Sequence, residues 1–352
     1  MGEKILVGMS GGVDSAVAAL LLMKQGYQVS GCTLRLRGGR LASIGNGNGE
    51  TEIEDARTVC RTLGIEHLVL DLSDRFCRQV VDVFAEEYRR GRTPNPCVVC
   101  NRTIKFGGML DYARQQGYDA IATGHYVRRA YWEEGKRWQL FRADSRKDQS
   151  YVLYGLSQDQ LAQVRFPLYG LEKEEVRRLA RENGLPVAEK GDSMEICFVP
   201  EGEHAAFIER YSGQPDREGV FVSPDGERLS PHGGISRYTV GQRKGLGVAL
   251  GRPAYVSAIR ADTGEIQLSY EPPFTQSFTV SCVNYVSIPE AEEPFRAQVK
   301  IRYQAPPADA LVTPLERGRA LVRFDRPQKA VTPGQSAVFY DEDCLLGGGI
   351  ID

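Results

Sequence analysis

The first part of the chain alternates apolar runs of strand length with amphipathic segments of helical length. Residues 4–9 form an apolar run, and a helical pattern from about Asp14 to Lys24 follows and ends at Gly26. The same alternation predicts strands at 28–34, 67–72 and 120–123, and helices at 52–63, around 80–84 and at 104–116. Such alternation predicts a parallel sheet covered by helices, with ligands bound at the carboxyl ends of the strands.

The pattern changes after about Gly202, where glycine and proline become frequent and helical periodicity fades. Short alternating segments predict strands at 254–259, 265–269, 279–286, 297–303, 319–324 and 336–340. Many short strands separated by turn residues favour β-rich modules. We therefore predict three domains: an α/β domain at 1–200, a small central domain at 201–274 and a β-barrel at 275–352.

Composition narrows the class of protein. A chain of 352 residues with 41% hydrophobic and 26% charged residues can fold into two or three cored domains. No apolar run approaches membrane-spanning length and no signal peptide is recognisable, so we expect a cytoplasmic protein without a membrane partner. With a net charge of −2, any binding of RNA requires local basic patches. Eight cysteines in such a protein are more typical of core thiols, catalytic groups or metal ligands than of a disulfide framework.

The run Ser-Gly-Gly-Val-Asp-Ser at 10–15 joins the first predicted strand to the first predicted helix. Its glycines expose backbone N–H groups beside a helix start, which suits a phosphate or pyrophosphate. It lacks the Lys of a Walker motif and the third Gly of a dinucleotide-binding motif. The run resembles the pyrophosphate loop of ATP pyrophosphatases, which release pyrophosphate and transfer AMP to a carbonyl-like oxygen. Asp14 is a candidate ligand of a metal or of metal-bound water, or alternatively a helix cap.

A second motif, Asn-Pro-Cys-Val-Val-Cys, lies at 95–100. Asn95 and Pro96 suit the cap and first position of a helix, which would place Cys97 and Cys100 on one face. The helix dipole is expected to lower the pKa of Cys97. A pair of this kind can exchange disulfides, ligate a metal or carry a persulfide. Of the other cysteines, Cys197 stands between Ile and Phe, and five are expected to lie in cores: Cys32, Cys60, Cys77, Cys282 and Cys344.

Taken together in order, the motifs resemble those of the tRNA-specific 2-thiouridylases, which replace O2 of the wobble uridine by sulfur. The matching segments cover nearly the whole chain: 8–15, 93–96, 100–101, 104–106, 122–127, 147–151, 193–198, 238–247, 300–303 and 333–338. The resemblance implies a Rossmann-like pyrophosphate-loop domain, a small central domain and a carboxyl-terminal β-barrel.

The resemblance also implies roles for individual residues. Cys100 corresponds to the nucleophile and Cys197 to the cysteine that carries a persulfide. ATP is expected at ten residues: Gly8, Met9, Ser10, Gly11, Gly12, Val13, Asp14, Ser15, Leu34 and Gly124. Contacts to tRNA are expected at ten others: Asn95, Pro96, Cys97, His125, Lys147, Asp148, Gln149, Arg302, Tyr303 and Gln335.

One position departs from the family pattern. Many members have Asp where this chain has Cys97, so an acid–base or base-positioning task of that Asp does not transfer. Three thiols, at Cys97, Cys100 and Cys197, could instead ligate a 4Fe–4S cluster and leave one iron open for hydrosulfide.

The implied chemistry needs ATP, Mg²⁺, a tRNA and a source of sulfur. Adenylation of O2 turns it into a good leaving group, and Mg²⁺ with the loop N–H groups stabilises the departing pyrophosphate. Sulfur then reaches C2 by one of three routes: direct attack by a Cys197 persulfide, with Cys100 forming a disulfide with Cys197; hydrosulfide released by Cys100; or hydrosulfide from the cluster. The donor is a protein or free sulfide. Two other functions remain open, namely another AMP-forming ligase and a non-catalytic RNA-binding protein.

Overall fold

The structure is a computed structural model that describes residues 2–45, 49–145, 147–191 and 196–352. Those residues form a five-stranded parallel sheet with helices, a four-stranded sheet, and a closed antiparallel barrel. The fold class predicted from the sequence is confirmed. No helix within the described residues has both the length and the apolar character needed to cross a bilayer.

The α/β part contains, in chain order, the elements β1 (Lys4–Gly8), α1 (Val13–Lys24), β2 (Gln28–Arg35), α2 (Glu50–Leu63), β3 (His67–Asp71), α3 (Ser73–Phe76), α4 (Asp82–Arg89), α5 (Pro96–Cys100), α6 (Met109–Gln115), β4 (Ala120–Ala122), β5 (Val127–Trp132), β6 (Arg137–Arg142), α7 (Gln158–Ala162), β7 (Val164–Arg165) and α8 (Lys173–Glu182). Two π-helical stretches, Cys77–Val81 and Asn101–Gly108, join α3 to α4 and α5 to α6. Two 3-10 turns lie at Gly39–Leu41 and Ser150–Leu153.

The remaining elements are α9 (His204–Ser212), β8 (Gly219–Val222), β9 (Arg228–His232), β10 (Tyr255–Arg260), β11 (Glu265–Ser269), β12 (Phe274–Tyr285), β13 (Phe295–Lys300), β14 (Ala308–Leu315), β15 (Arg319–Lys329), β16 (Ser336–Asp341) and β17 (Cys344–Ile351), with a 3-10 turn at Ile235–Arg237. The strand order of the small sheet is β10-β11-β8-β9. The barrel runs β12-β15-β14-β13-β16-β17 and closes by pairing of β12 with β17.

The parallel sheet has the order β3-β2-β1-β4-β7. Strand β1 is buried on both faces: Ile5 and Val7 belong to one core, and Leu6 between them belongs to the other. Strand order reverses between β1 and β4, so ligands are expected at the carboxyl ends of these two strands. The loop at 10–15 and Gly124 both lie there.

The α/β part and the barrel are joined by a continuous sheet and a continuous core. The hairpin β5–β6 extends the barrel sheet, because Phe141 and Leu140 of β6 pair with Cys344 and Leu345 of β17. The core on one face of the parallel sheet continues into the barrel through Val338 and other apolar side chains. The barrel is therefore fixed against the face of the α/β part that carries α5.

Candidate active site

The pyrophosphate loop (residues 10–15) is braced by its own hydrogen bonds. The Ser15 hydroxyl donates to the Gly12 carbonyl at 3.0 Å and accepts from the Ser10 N–H at 3.1 Å. Gly11 has φ +70°, and a Cβ there would lie 2.6 Å from the Glu52 carbonyl oxygen. Glycine is thus required at position 11 by conformation and by space. Helix α1 begins within this run, at Val13, with Gly12 as its N-cap, close to the start at about Asp14 predicted from the sequence.

Two further residues expected at the nucleotide contact this loop or lie beside it. A Cβ on Gly124 would lie 2.7 Å from the Asp14 carbonyl carbon and 2.9 Å from the Ser15 nitrogen. Because Gly124 has no side chain, the backbone that follows β4 can pack directly against the start of α1. Leu34 lies near the end of β2, which is held against the loop entrance by the Thr33 hydroxyl donating to the Met9 carbonyl at 2.9 Å. The edge of the sheet beside the pyrophosphate loop is therefore built from β1, β2 and β4.

Asp14 lies in the first turn of α1, but it does not cap the helix. Its carboxylate accepts hydrogen bonds from Lys173 Nζ at 2.8 and 2.9 Å and from the Tyr126 hydroxyl at 2.7 Å. The cap alternative is therefore wrong, because the residue is one position inside the helix and its oxygens face α8. In this arrangement the carboxylate is neutralised by a lysine whose side chain is only 10% exposed.

The helix of the cysteine motif begins as predicted. Asn95 caps α5 by accepting a hydrogen bond from the Cys97 N–H at 3.1 Å, and Pro96 occupies the first helical position. The helix does not stop after Cys100, since the π-helical stretch Asn101–Gly108 continues it into α6. The separate helix expected at 104–116 is therefore the second half of one helix that starts at Pro96.

Cys100 packs in the same core as Ile196 and Phe198, the neighbours of Cys197. This brings the sequence-distant thiols into one region, and we call Cys97, Cys100 and Cys197 the thiol cluster. Burial raises the pKa of Cys100 to about 12, with Cys197 and Cys97 adding to the rise and Lys105 opposing it. Burial likewise raises the pKa of Cys97 and of Cys197. Both residues expose part of their surface, but dense protein surrounds their thiols. The expected lowering of the Cys97 pKa is wrong, because desolvation by the surrounding protein outweighs the effect of the helix start.

The thiol cluster is not arranged as a ready set of metal ligands. Among the residues that the structure describes, no group of three or more His, Cys, Asp or Glu side chains is placed to hold a metal ion. This holds for Asp14 as well, whose two oxygens both accept hydrogen bonds from Lys173. All eight cysteines are free thiols.

The pyrophosphate loop and the thiol cluster are joined by side chains of opposite charge. Arg37 donates to Glu52 at 2.5 Å and to the Cys197 carbonyl at 3.5 Å, while the Glu52 backbone packs on Gly11. Although burial raises the pKa of Glu52, the Arg37 hydrogen bond and the charges of Arg37 and Lys190 hold it below its usual value. Lys190, seven residues before Cys197, donates to the Gly11 carbonyl at 2.9 Å and to Asp55 at 2.5 Å.

Some of the candidate tRNA contacts surround the thiol cluster. Gln335 donates to the Thr93 carbonyl at 2.8 Å, just before Asn95. Tyr303 donates to the Asp148 carbonyl at 3.0 Å, and its pKa is raised by burial and by the charges of Asp148 and Cys97. The barrel therefore delivers Tyr303 and Gln335 to the region of α5.

Other candidate tRNA contacts form hydrogen bonds within the protein itself. The carboxylate of Asp148 accepts from the Ser150 hydroxyl at 2.9 Å and from backbone N–H groups, and Lys147 is half-buried in the same loop. Gln149 accepts from the Tyr126 N–H at 3.0 Å. The Arg302 guanidinium donates to two backbone carbonyls of the barrel, at 3.1 and 2.8 Å.

His125 follows Gly124 and packs beside the Phe106 ring, with ring centroids 5.6 Å apart. It is 8% exposed and its Nδ1 lies 2.7 Å from the Thr123 hydroxyl. Burial, with a further contribution from Lys105, holds its pKa well below the ordinary value. His125 is therefore a neutral imidazole at physiological pH.

Sequence reasoning missed several residues of the site. Lys173 is 159 residues from Asp14, and no local signal identifies it. Lys190 and Arg37 each lie close in sequence to an expected site residue, Cys197 and Leu34, which is the signal that could have found them. Of the cysteines expected in cores, Cys282 is exposed, because it lies with φ +51° in an irregularity of β12.

Three protein-family models match successive parts of the chain. The model of the tRNA methyl transferase HUP domain matches residues 3–201, that of the tRNA methyl transferase PRC-barrel domain matches 205–269, and that of the aminomethyltransferase beta-barrel domain matches 275–351.

Similar full-length chains are also known. The tRNA-specific 2-thiouridylase MnmA of Acetivibrio thermocellus is 46% identical, with 99% of each chain covered. The protein of the same name from Trichormus variabilis is 47% identical, also with 99% of each chain covered. The tRNA-specific 2-thiouridylase MnmA 1 of Caldanaerobacter subterraneus subsp. tengcongensis is 45% identical, with 100% of this chain and 98% of that chain covered.

Proposed function

Because the chain belongs to the tRNA-specific 2-thiouridylase family, we propose that it uses ATP to replace O2 of the wobble uridine of tRNA by sulfur. The observation that carries the proposal is that Cys100 packs in one core with Ile196 and Phe198, the neighbours of Cys197, while Arg37 links the Cys197 carbonyl to Glu52 beside the pyrophosphate loop. Adenylation and sulfur transfer need those two groups within reach of one base. The products are 2-thiouridine, AMP and pyrophosphate, and the cytoplasm is the proposed location.

In the first step, the uridine oxygen attacks the α-phosphorus of ATP and pyrophosphate leaves. The N–H groups of the pyrophosphate loop and the start of α1 stabilise the charge on the leaving group, and Mg²⁺ enters with ATP as part of the substrate. Asp14 and Lys173, already paired, lie at the entrance of α1, where they orient the phosphates. Gly124 packs directly against them, since a Cβ there would lie 2.7 Å from the Asp14 carbonyl carbon.

In the second step, sulfur replaces the adenylated oxygen. The Cys197 thiolate first attacks the outer sulfur of a persulfide on a donor protein, which forms the Cys197 persulfide and releases the donor's thiolate. The terminal sulfur of the Cys197 persulfide then attacks C2 while AMP leaves. The Cys100 thiolate then attacks the Cys197 sulfur, which forms the Cys100–Cys197 disulfide and frees the thiouridine sulfur. An external thiol reduces the disulfide. In a variant of this route, Cys100 attacks first and releases hydrosulfide, which then attacks C2.

The alternative route uses a 4Fe–4S cluster ligated by Cys97, Cys100 and Cys197. Three thiols are the right donors for such a cluster. Their arrangement among the described residues is not that of a ligand group, so the persulfide route is the one the geometry supports better.

The test uses the purified full chain with unmodified tRNA, ATP, Mg²⁺ and a persulfide donor. Pyrophosphate and 2-thiouridine are measured separately, the latter by mass spectrometry. We expect Cys100→Ser and Cys197→Ser to lose 2-thiouridine formation by about a thousandfold or more while releasing pyrophosphate, because only the sulfur step needs a thiolate.

The matched control is Cys282→Ser, which removes an exposed thiol outside the site and should leave both products unchanged. Full 2-thiouridine formation by a Cys100→Ser/Cys197→Ser double variant would contradict the proposal. So would tRNA-independent pyrophosphate release with another acceptor, which points to a different AMP-forming ligase.

A further inference from the structure

One loop of the barrel, residues 332–335, binds the backbone just before α5, and we call it the barrel loop. The Thr93 N–H donates to the Pro333 carbonyl at 2.8 Å, and the Thr93 carbonyl accepts from the Gln335 side-chain amide at 2.8 Å. Gly334 stands between these two contacts, since a Cβ there would lie 3.0 Å from the Thr93 nitrogen and 3.1 Å from its carbonyl carbon. The barrel loop therefore packs directly against the backbone of Thr93.

The preceding residue, Arg92, provides a second attachment. Its guanidinium donates to the Ile351 carbonyl at 2.9 Å and to the Glu87 carboxylate of α4 at 2.7 Å. Ile351 in turn donates its N–H to the Gln335 carbonyl at 2.8 Å and accepts from the Gly334 N–H at 2.9 Å. The end of β17, the barrel loop and α4 are therefore all bonded to the two residues that lead into the cysteine motif.

The link from Thr93 to α5 is short and stiff. Pro94 and Pro96 have fixed φ angles, and a residue that precedes proline is restricted to extended conformations. Asn95 between them is extended, with φ −108° and ψ 95°, and its side chain caps α5 by accepting from the Cys97 N–H. A displacement of Thr93 is therefore passed on to α5 rather than absorbed by the link.

Helix α5 also packs between the barrel and the segment that carries Cys197. Val98 belongs to the core that includes Val338 of the barrel, and Cys100 belongs to the core that includes Phe198. Residues two apart in an α-helix stand about 200° apart around its axis, so these two cores contact opposite faces of α5. The position of the barrel against α5 therefore sets how closely Cys100 approaches Cys197.

We propose that Gln335 and Arg92 are positioning residues for sulfur transfer, which hold Thr93 on the barrel loop so that α5 presents Cys100 to Cys197. The inference rests on the proposed function, in which those two thiols form a disulfide. It gives Gln335, a candidate tRNA contact, a task that is carried out before tRNA binds. Reactions between held groups are sensitive to displacements of about 1 Å, which is the scale of shift that loss of this attachment causes.

The test follows formation of the Cys100–Cys197 disulfide in the full chain without tRNA or ATP. Diamide serves as oxidant: it takes up two electrons and two protons from the two thiols and is reduced to its hydrazine. Samples are quenched with iodoacetamide, and peptide mass spectrometry separates this disulfide from other products. Gln335→Met removes the amide that holds Thr93, and Arg92→Met removes the guanidinium. Each should slow formation of the disulfide by about five- to tenfold.

Gln328→Met is the matched control for the amide. Its side chain donates to the Arg326 carbonyl at 2.9 Å elsewhere in the barrel, so its loss should leave the rate of disulfide formation unchanged. A residue that only contacts tRNA cannot alter a reaction measured without tRNA. An effect of Gln335→Met in this assay therefore separates positioning from tRNA contact.

Gly334→Ala tests the packing of the barrel loop. Its methyl group would push Thr93 away, and we expect disulfide formation to slow by about a hundredfold. Gly318→Ala is its matched control: Gly318 has φ +65° against +89° for Gly334, but a methyl group there meets no atom within 4 Å. Urea unfolding establishes that each variant is folded under the assay conditions. Gln335→Met and Arg92→Met decide the test should Gly334→Ala fail to fold.

A second measurement uses tRNA. At saturating tRNA, single-turnover formation of 2-thiouridine by Gln335→Met should fall about five- to tenfold, while the tRNA concentration that gives half the maximal rate stays within about twofold. Unaltered disulfide formation in both Gln335→Met and Arg92→Met, or no Cys100–Cys197 disulfide in the unaltered protein, would overturn the inference. Failure of the proposed function would appear instead as absence of 2-thiouridine from the unaltered protein, and the disulfide rates would still decide the inference.

Discussion

The pyrophosphate loop is held in place by hydrogen bonds within the protein. In the thiol cluster, by contrast, the surrounding protein raises the pKa of every thiol, which disfavours the reactive thiolate form. In the loop, Ser15 bonds both Ser10 and Gly12, and Lys190 holds the Gly11 carbonyl. In the thiol cluster, burial keeps all three thiols protonated at neutral pH. A nucleotide site gains from fixed dipoles. In the proposed function, thiols that stay protonated until the sulfur step resist oxidation between turnovers.

Among substitutions beside the pyrophosphate loop, Gly124→Ala is expected to reduce the reaction rate most. The new methyl group would lie 2.7 to 2.9 Å from backbone atoms of Asp14 and Ser15, so the start of α1 must move. Since misplacement by about 1 Å can cost about a hundredfold in rate, we expect pyrophosphate release and 2-thiouridine formation to fall together by that factor. The control is Gly170→Ala, where a methyl group meets no atom within 4 Å and φ is not positive. Unchanged pyrophosphate release in Gly124→Ala would show that the loop is less rigid than described.

A smaller effect is expected from Lys173→Met, which leaves the Asp14 carboxylate without its ammonium partner. The KM for ATP should rise about tenfold, because an unpaired carboxylate then faces the phosphates, and the free energy of unfolding should fall by about 1–3 kcal/mol. Steady-state kinetics and urea unfolding measure the two quantities. Arg178→Met on the same helix removes an exposed cation and serves as control. A loss of stability that Asp14→Asn fails to relieve in the double variant would contradict the pairing.

The smallest effect on the reaction rate is expected from Cys97→Ser, which tests the thiol cluster. In the persulfide route Cys97 forms no sulfur–sulfur bond, so single-turnover 2-thiouridine formation should stay within about threefold of the original rate. Iron and acid-labile sulfide are measured in protein purified anaerobically. A loss as large as that of Cys100→Ser, together with bound iron in the unaltered protein, would replace the persulfide route by the cluster route.

The sequence was most informative where the structure is decided locally. Paired glycines after an apolar run predicted the loop and α1, and the Asn95–Pro96 cap predicted the start of α5. Strands β14 and β17 were missed, because Pro314 interrupts one pattern and three consecutive glycines interrupt the other. Those glycines reflect tertiary packing, since a Cβ on Gly347 would lie 2.3 Å from the Asn284 carbonyl oxygen of β12.

Within the site, long-range effects limited prediction in the same way. The direction of the Cys97 pKa shift depends on how much protein surrounds the thiol, and a position in the first turn of a helix does not reveal that. The pairing of Asp14 with Lys173 depends on α8 crossing the start of α1. The family resemblance named Cys100 and Cys197, but Arg37 received no role until the structure placed its guanidinium 3.5 Å from the Cys197 carbonyl oxygen.

The hairpin β5–β6 has a consequence for how this chain can be divided. It departs from the α/β part, joins the sheet of the barrel through β17, and is anchored there by Arg137, whose guanidinium donates to the carbonyls of Tyr285 and Val286. Excising the last eighty or so residues would strip β6 of its neighbour and leave an open strand edge, a surface prone to aggregation. The modules recognisable along the sequence are thus not separable parts, and any minimal version of this protein must retain its carboxyl terminus.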